Sequence, residues 1–168
     1  MVNNAGVFRE EDFLEVTVEE YEQLMDINVK GVFFGAQTAA KRTVEDGRSG
    51  SIINLSSVAG LLGSGDFPTY CLSKGAVRLL TYSLADVLGP ADIRVNAIHP
   101  GIIETTMTTE DVPIVGTELG EQFLATVPLS RNGQPEDVGD AAVFLASDLA
   151  SYVSGESLVL DGGMSNTQ

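Results

Sequence analysis

Ser51-Ile52-Ile53-Asn54-Leu55-Ser56-Ser57-Val58-Ala59-Gly60 is the stretch whose reading decides the fold. A short apolar, β-branched run breaks abruptly into a loop rich in serine and glycine. Such a run, with no polar alternation, suits a strand covered on both faces, as strands are in parallel sheets. Asn54-Leu55-Ser56 also matches a glycosylation sequon, but on a buried strand that match reads as chance.

Working outward, Pro68 opens a long helix with Val77, Leu80, Leu84, Val87 and Leu88 on its apolar face, and Gly89-Pro90 stops it. Ile93 to Ile98 reads as the next strand, closed by Pro100-Gly101. A long connection over 102–134 holds a short helix from Glu118 to Ala125. Pro135 then starts a helix with Val138, Ala141, Ala142 and Leu145 on one face. Ser157 to Leu160 is a last strand, and Asp161-Gly162-Gly163 turns out of it. In the other direction, Gly47 to Gly50 is a turn. Thr17-Val18-Glu19-Glu20 is a capping box, with Val16 and Tyr21 placed to staple it. Val29, Val32, Phe33, Ala36 and Ala40 carry that helix to about residue 45, with a bend near Asn28 and Gly31. Strands that alternate with helices imply a parallel sheet with helical crossovers, an α/β fold of one domain over 1–168. The long connection follows a strand's C-terminal end, where ligands bind in open α/β sheets.

Composition narrows the function. The 168 residues carry a net charge of -15, and lysine occurs only as Lys30, Lys41 and Lys74. That surface repels nucleic-acid phosphates and anionic lipid, so neither nucleic acid nor membrane is an expected partner. It resembles the surface of a cytosolic protein from a high-salt organism. The one cysteine, Cys71, fits a reducing, cytoplasmic compartment. No apolar run approaches the length of a bilayer span. No His/Cys cluster has metal-ligand spacing, so no metal is expected. His99, the sole histidine, reads as a packing residue, and no Gly-x-Ser-x-Gly elbow exists for a serine hydrolase. The acidic run from Glu10 to Asp26 reads as a solvated face, Ser56 as a structural hydroxyl and Cys71 as a bystander.

Chemistry gathers on the helix after Pro68. Tyr70-Cys71-Leu72-Ser73-Lys74 sets a phenol and an ammonium four residues apart, on one face of the helix. A tyrosine pKa of about 10 is too high for proton exchange at neutral pH, and a nearby cation should lower it. The pair is a candidate general acid/base for an alcohol or carbonyl. Met107 and Phe123 are candidates to line the substrate pocket.

The surrounding motifs are Asn3-Asn4-Ala5-Gly6, Asn28, the 51–60 stretch with Ser57, Asn96-Ala97-Ile98-His99-Pro100-Gly101, Arg131 to Val138, Phe144 to Asp148, and Asp161-Gly162-Gly163. With them, the chain resembles the short-chain dehydrogenase/reductase family over essentially its whole length. The resemblance implies a partial Rossmann-like, doubly wound parallel sheet lacking its first strands, the C-terminal two-thirds of the family fold. It implies NAD or NADP as cofactor and a small or acyl-linked secondary alcohol or its ketone as substrate. Tyr70 then corresponds to the proton donor/acceptor. Lys74 corresponds to the residue that lowers its pKa and holds the nicotinamide ribose, and Ser57 to the hydroxyl fixing the substrate oxygen. Asn28 corresponds to the asparagine that bends its helix and supports a water relay to the lysine. Asn3, Ala5 and Gly6 match the turn where cofactor nears the backbone, and Pro100, Gly101, Ile103 and Thr105 the segment at the nicotinamide. A homo-oligomer, dimer or tetramer, is also implied.

The chain departs from the family at its start. No glycine-rich βαβ unit precedes Asn3, and Met1-Val2 matches the last piece of the fourth family strand. The expectation is a misassigned start or a truncated gene, and a chain that is weakly stable and poor at binding cofactor. The C-terminal motifs look similar to those of 3-oxoacyl-carrier-protein reductases and of sugar or cyclic-alcohol dehydrogenases, which is the activity the resemblance implies. The alternative is a silent fragment serving oligomerisation or binding.

Overall fold

The structure, a computed structural model, describes residues 1–166. Four strands, β1 (Val2–Asn3), β2 (Gly50–Leu55), β3 (Ile93–Pro100) and β4 (Ser157–Leu160), form one parallel sheet in that spatial order. Helices occupy every crossover: α1 (Val18–Met25) and α2 (Gly31–Glu45), then α3 (Pro68–Leu88), then α4 (Glu118–Leu124) and α5 (Pro135–Ala146).

The pleat explains why strands this apolar are needed. Ile52, Ile93 and Val95 point to the face where Ala36 and Ala40 of α2 and Leu84 and Leu88 of α3 pack. Ile53, Leu55 and Ile98 point to the other face, against Ala141 and Leu145 of α5. With helices on both faces the sheet is doubly wound, a Rossmann-like α/β arrangement. Cutting the buried Ile53 back to alanine should cost about 2–5 kcal/mol.

The bend expected near Asn28 and Gly31 is present as a π-helical turn at Asp26–Lys30 between α1 and α2, and two other local expectations change. The N-terminal capping box of α1 is present: Thr17 Oγ1 accepts from the Glu20 amide at 3.2 Å, and Glu20 accepts from the Thr17 amide at 3.0 Å. Tyr21, expected to staple that end, is exposed. Phe33 and Val87, expected on covered faces, are 42% and 67% exposed, because the apolar faces of α2 and α3 are wider than the strip the sheet can reach. Together with Val44 they line a groove between those two helices. A π-helical turn at Met107–Asp111, absent from the sequence reading, lies in the long connection ahead of α4.

Candidate active site

The end of β2 and the first two turns of α3 are locked together. Pro68 occupies the first turn of α3, where its missing N–H costs nothing, and the Glu11 carboxylate accepts from the Thr69 amide there. Ser56 Oγ donates to the Lys74 carbonyl at 2.8 Å. Gly60 comes so close to the same helix that a Cβ would sit 2.7 Å from the Lys74 carbonyl oxygen. This contact holds the turn carrying Ser57 against Tyr70. Ser57 caps that turn, its Oγ accepting from the Ala59 amide at 3.1 Å.

Lys74 is only 5% exposed. Its Nζ donates to the Leu55 carbonyl at 3.0 Å and lies 5.5 Å from the centroid of the Tyr70 ring. Burial lowers its pKa to about 8. Tyr70 stands edge-on to Phe8 at 4.9 Å and to Phe67 at 6.2 Å. Burial of its hydroxyl pushes its pKa up to about 12, opposed by a hydrogen bond from the Ser57 side chain. The expectation that Lys74 would depress the Tyr70 pKa is therefore corrected. The ammonium sits over the ring and is tied to Leu55, and loss of solvent outweighs it.

Asn28 shows why the π-helical turn matters. Fully buried, it accepts from the Val7 amide at 2.8 Å and donates to the Val7 carbonyl at 2.9 Å, clasping the loop that follows β1. The same amide reaches Ser73 Oγ at 3.1 Å, and Ser73 donates to the Tyr70 carbonyl at 2.8 Å. A Cβ on Gly6 would lie 3.3 Å from Lys74 Nζ and 3.5 Å from Asn28 Oδ1. Asn28, Gly6, Lys74, Tyr70 and Ser57 thus converge on one place.

The remaining expected site residues are more dispersed. The Asn3 side chain turns inward and donates to Asn54 Oδ1 at 2.8 Å, tying β1 to β2, while Ala5 is exposed. Pro100 ends β3, and Gly101 borders the cavity in front of Ser57 and Tyr70. Ile103 bridges to Gly133 and faces a separate cavity of about 420 Å³. Thr105 is exposed, its amide donating to Thr108 Oγ1 at 3.1 Å.

The cavity at Ser57 and Tyr70 measures about 340 Å³ and is lined by both residues, and by Met107 and Phe123 as expected. Ser73 and the Phe8–Phe67 flank went unread. Ser73 was detectable, since it lies between Tyr70 and Lys74 on the same helix; the aromatic flank comes from two distant loops. Ser56 is structural as read. His99 is packed as read, and in addition its Nδ1 meets the Ser57 carbonyl at 2.9 Å. Among the described residues no cluster of His, Cys, Asp or Glu could hold a metal ion, and no helix is long and apolar enough to cross a membrane.

Residues 1–165 match the family model described as enoyl-(acyl carrier protein) reductase. The chain belongs to the short-chain dehydrogenase/reductase family. It is 42% identical to an L-rhamnose 1-dehydrogenase (NAD(P)(+)) of Azotobacter vinelandii, covering 98% of this chain and 63% of that protein. It is 44% identical to a 3alpha-hydroxysteroid dehydrogenase of Mediterraneibacter gnavus, covering 96% and 63%. Among solved structures it resembles a putative 2-deoxy-D-gluconate 3-dehydrogenase of Agrobacterium tumefaciens with bound NADP, at TM-score 0.92 and 39% identity, covering 97% of this chain and 65% of that one. The chain thus spans just under two thirds of the length of these members of the short-chain dehydrogenase/reductase family.

Proposed function

We propose that the protein is an NAD(P)-dependent oxidoreductase interconverting a secondary alcohol and its ketone. The observation that carries this reading is that Ser57 and Tyr70 line one cavity while the buried Lys74 ammonium lies 5.5 Å from the centroid of the Tyr70 ring, beside the Gly6 turn. The names of relatives that act on sugar and steroid alcohols, and the bound NADP of a structural neighbour, support it.

The residues fit the nicotinamide-ribose end of such a cofactor. Lys74 is a buried ammonium with three N–H donors and one protein acceptor, the Leu55 carbonyl, which leaves donors for a pair of ribose hydroxyls. Gly6 keeps side-chain atoms away from that ammonium. Lys74 and the Asn3–Gly6 turn would hold the ribose, and Pro100, Gly101, Ile103 and Thr105 the carboxamide side. The bound nicotinamide supplies or accepts the hydride.

The protein's own part is proton transfer and position. The Ser57 hydroxyl donates to the substrate oxygen and holds it beside the phenol. In reduction, Tyr70 O–H gives its proton to that oxygen as the carbonyl carbon gains hydride; in oxidation it takes the proton back. The Lys74 ammonium stabilises the phenolate that forms, where low dielectric strengthens its effect. Asn28 keeps the Val7 backbone in place beneath the site. We read the same chain as a homo-oligomer, dimer or tetramer, in which exposed Phe33, Phe34, Leu79 and Val87 are covered. The free thiol of Cys71 supports a cytoplasmic setting.

The test is a fluorescence titration of the purified chain with NADH and NADPH, followed by turnover assays with and without Tyr70→Phe. Weak but saturable binding, and turnover that falls at least about 100-fold in the variant, are expected. A folded chain that binds neither nucleotide refutes the reading.

A further inference from the structure

The cavity before Ser57 and Tyr70 has an unusual wall. Its lining includes Leu62, Phe67, Ile102, Met107, Ile114 and Phe123, and none of the described residues around it carries a charged side chain. Its other hydroxyls are engaged elsewhere. Thr108 Oγ1 donates to the Ile103 carbonyl at 2.6 Å, and Ser64 Oγ accepts from the Asp66 amide at 3.3 Å. Among the lining side chains, polar recognition is therefore confined to one point, the Ser57–Tyr70 pair.

Its surroundings on one side are charged. An adjoining cavity shares Phe8, Phe67, Ile114 and Phe123 with the first, and is lined by Glu10, Glu11, Asp12 and Asp66. This rim is held in place by the Glu11 amide, which donates to the Asp66 carbonyl at 2.9 Å, and by the Glu11 carboxylate, which accepts from the Thr69 amide. A carboxylate or phosphate in the first cavity faces several like charges across the shared residues.

We propose that the site selects neutral, predominantly apolar alcohols and ketones with a single oxygen function, and discriminates against polyols and anions. This rests on the oxidoreductase reading and names its substrate class. A compact alicyclic alcohol satisfies its one oxygen at Ser57 and Tyr70 and buries its carbons against the wall. A sugar brings further hydroxyls that find no partner there, each lowering affinity by about tenfold. A sugar acid or an acyl-phosphopantetheine adds a negative charge facing the rim. The volume of about 340 Å³ sits near the lower end of ligand sites, which favours a small ring system over a long chain.

The methionines give a readout that needs no turnover. Met107 and Met164 line this cavity, whereas Met1 and Met25 do not. The full chain, labelled with 13C at the methionine methyls, is titrated with cyclohexanol, D-glucose and D-gluconate. Saturable shifts of Met107 and Met164 with cyclohexanol are expected, with Met1 and Met25 still and neither sugar acting at equal concentration. Shifts of Met107 and Met164 by glucose or gluconate at or below the cyclohexanol concentration overturn the proposal, as does the absence of any shift with cyclohexanol. A turnover panel with NAD and NADP separates the two levels of argument. Preference for gluconate or glucose overturns the substrate class and leaves the oxidoreductase intact. Methionine shifts with cyclohexanol but no turnover of any alcohol support the pocket's selectivity and remove the oxidoreductase reading.

Discussion

His99 Nδ1 lies 2.9 Å from the backbone carbonyl oxygen of Ser57. A carbonyl has no proton to give, so Nδ1 must be the donor. In the neutral ring Nε2 is then bare, and it accepts from Ser157 Oγ, 2.9 Å away. Ser157, its proton used, accepts in turn from the Tyr82 hydroxyl at 2.7 Å. One proton-free acceptor thus orients three side chains. It also anchors the backbone of Ser57, whose carbonyl accepts from the Gly60 amide as well, at 2.9 Å.

The first prediction is that this histidine, the only one in the chain, is the Nδ1–H tautomer at pH 7. Burial holds its pKa below the ordinary value, assisted by the cationic Arg78 and Lys74 and opposed by the bond to Ser57. In the unfolded chain it takes up a proton near pH 6.5, earlier than in the folded one, so stability falls as pH drops below that point. Long-range proton–nitrogen NMR of the single imidazole reads the tautomer. An Nε2–H signature would remove the hydrogen-bond chain described above.

Lys74 should oppose stability while serving chemistry. Its ammonium is buried with a single backbone acceptor, and its pKa falls from 10.5 to about 8. Between those values the unfolded chain binds the proton and the folded chain does not, so stability rises with pH across that window. Lys74→Met should raise stability at pH 7 by up to about 3 kcal/mol, flatten that rise, and abolish turnover. Urea unfolding at pH 7 and pH 10 checks it. A destabilised variant would show that the ammonium is better paired than the geometry indicates.

The same pKa sets the alkaline limb of the reaction. Tyr70, pushed up to about 12, keeps its proton across the working range, whereas Lys74 loses its charge as pH rises through about 8. Carbonyl reduction should therefore weaken above about pH 8. An activity that holds flat to pH 10 would assign the limb elsewhere.

Gly60→Ala tests the contact between loop and helix. The new methyl would lie 2.6 Å from Ser56 Oγ and 2.7 Å from the Lys74 carbonyl oxygen, and backbone cannot yield cheaply. A loss of about 1–3 kcal/mol in stability is expected. Activity should fall too, because the turn carrying Ser57 must move off α3. Gly75→Ala, in the interior of the same helix with nothing within 4 Å of its Cβ, should instead stabilise by about 0.5–1 kcal/mol. Equal effects from the two substitutions would mean the close approach is not the cause.

What could be read from the sequence followed from period and punctuation. Ile52 and Ile53, both apolar, announced a strand buried on two faces, and Ser157 to Leu160 was bounded correctly because apolar residues meet a glycine turn there. Tyr70 and Lys74 were legible because helical spacing is local. The clasp of Asn28 on Val7 was not, since a bend near Asn28 does not say which distant backbone its side chain meets. The direction of the Tyr70 shift was misread for a related reason. Spacing reports that a cation is near, but not that the surrounding phenylalanines and the helix exclude water from the hydroxyl.

The charge of -15 leads to the last prediction. The ion pairs present, Arg9–Glu20, Lys30–Asp26, Arg42–Asp46, Arg48–Asp46 and Arg131–Asp137, engage most of the basic residues and leave a large surplus of carboxylates. Folding brings those carboxylates closer together than they are in the extended chain, so their repulsion opposes the compact state. At 10 mM salt it acts over about 30 Å, and at 1 M over about 3 Å. The five surface pairs lose strength over the same range, but each contributes at most about 1 kcal/mol. Repulsion should dominate the balance, and the melting temperature should climb as KCl is raised from 10 mM to 1 M. Chloride is chosen over sulfate because sulfate strengthens apolar burial by itself and would mimic the result. A flat or falling melting temperature in KCl would mean that the acidic groups are spaced widely enough not to oppose folding.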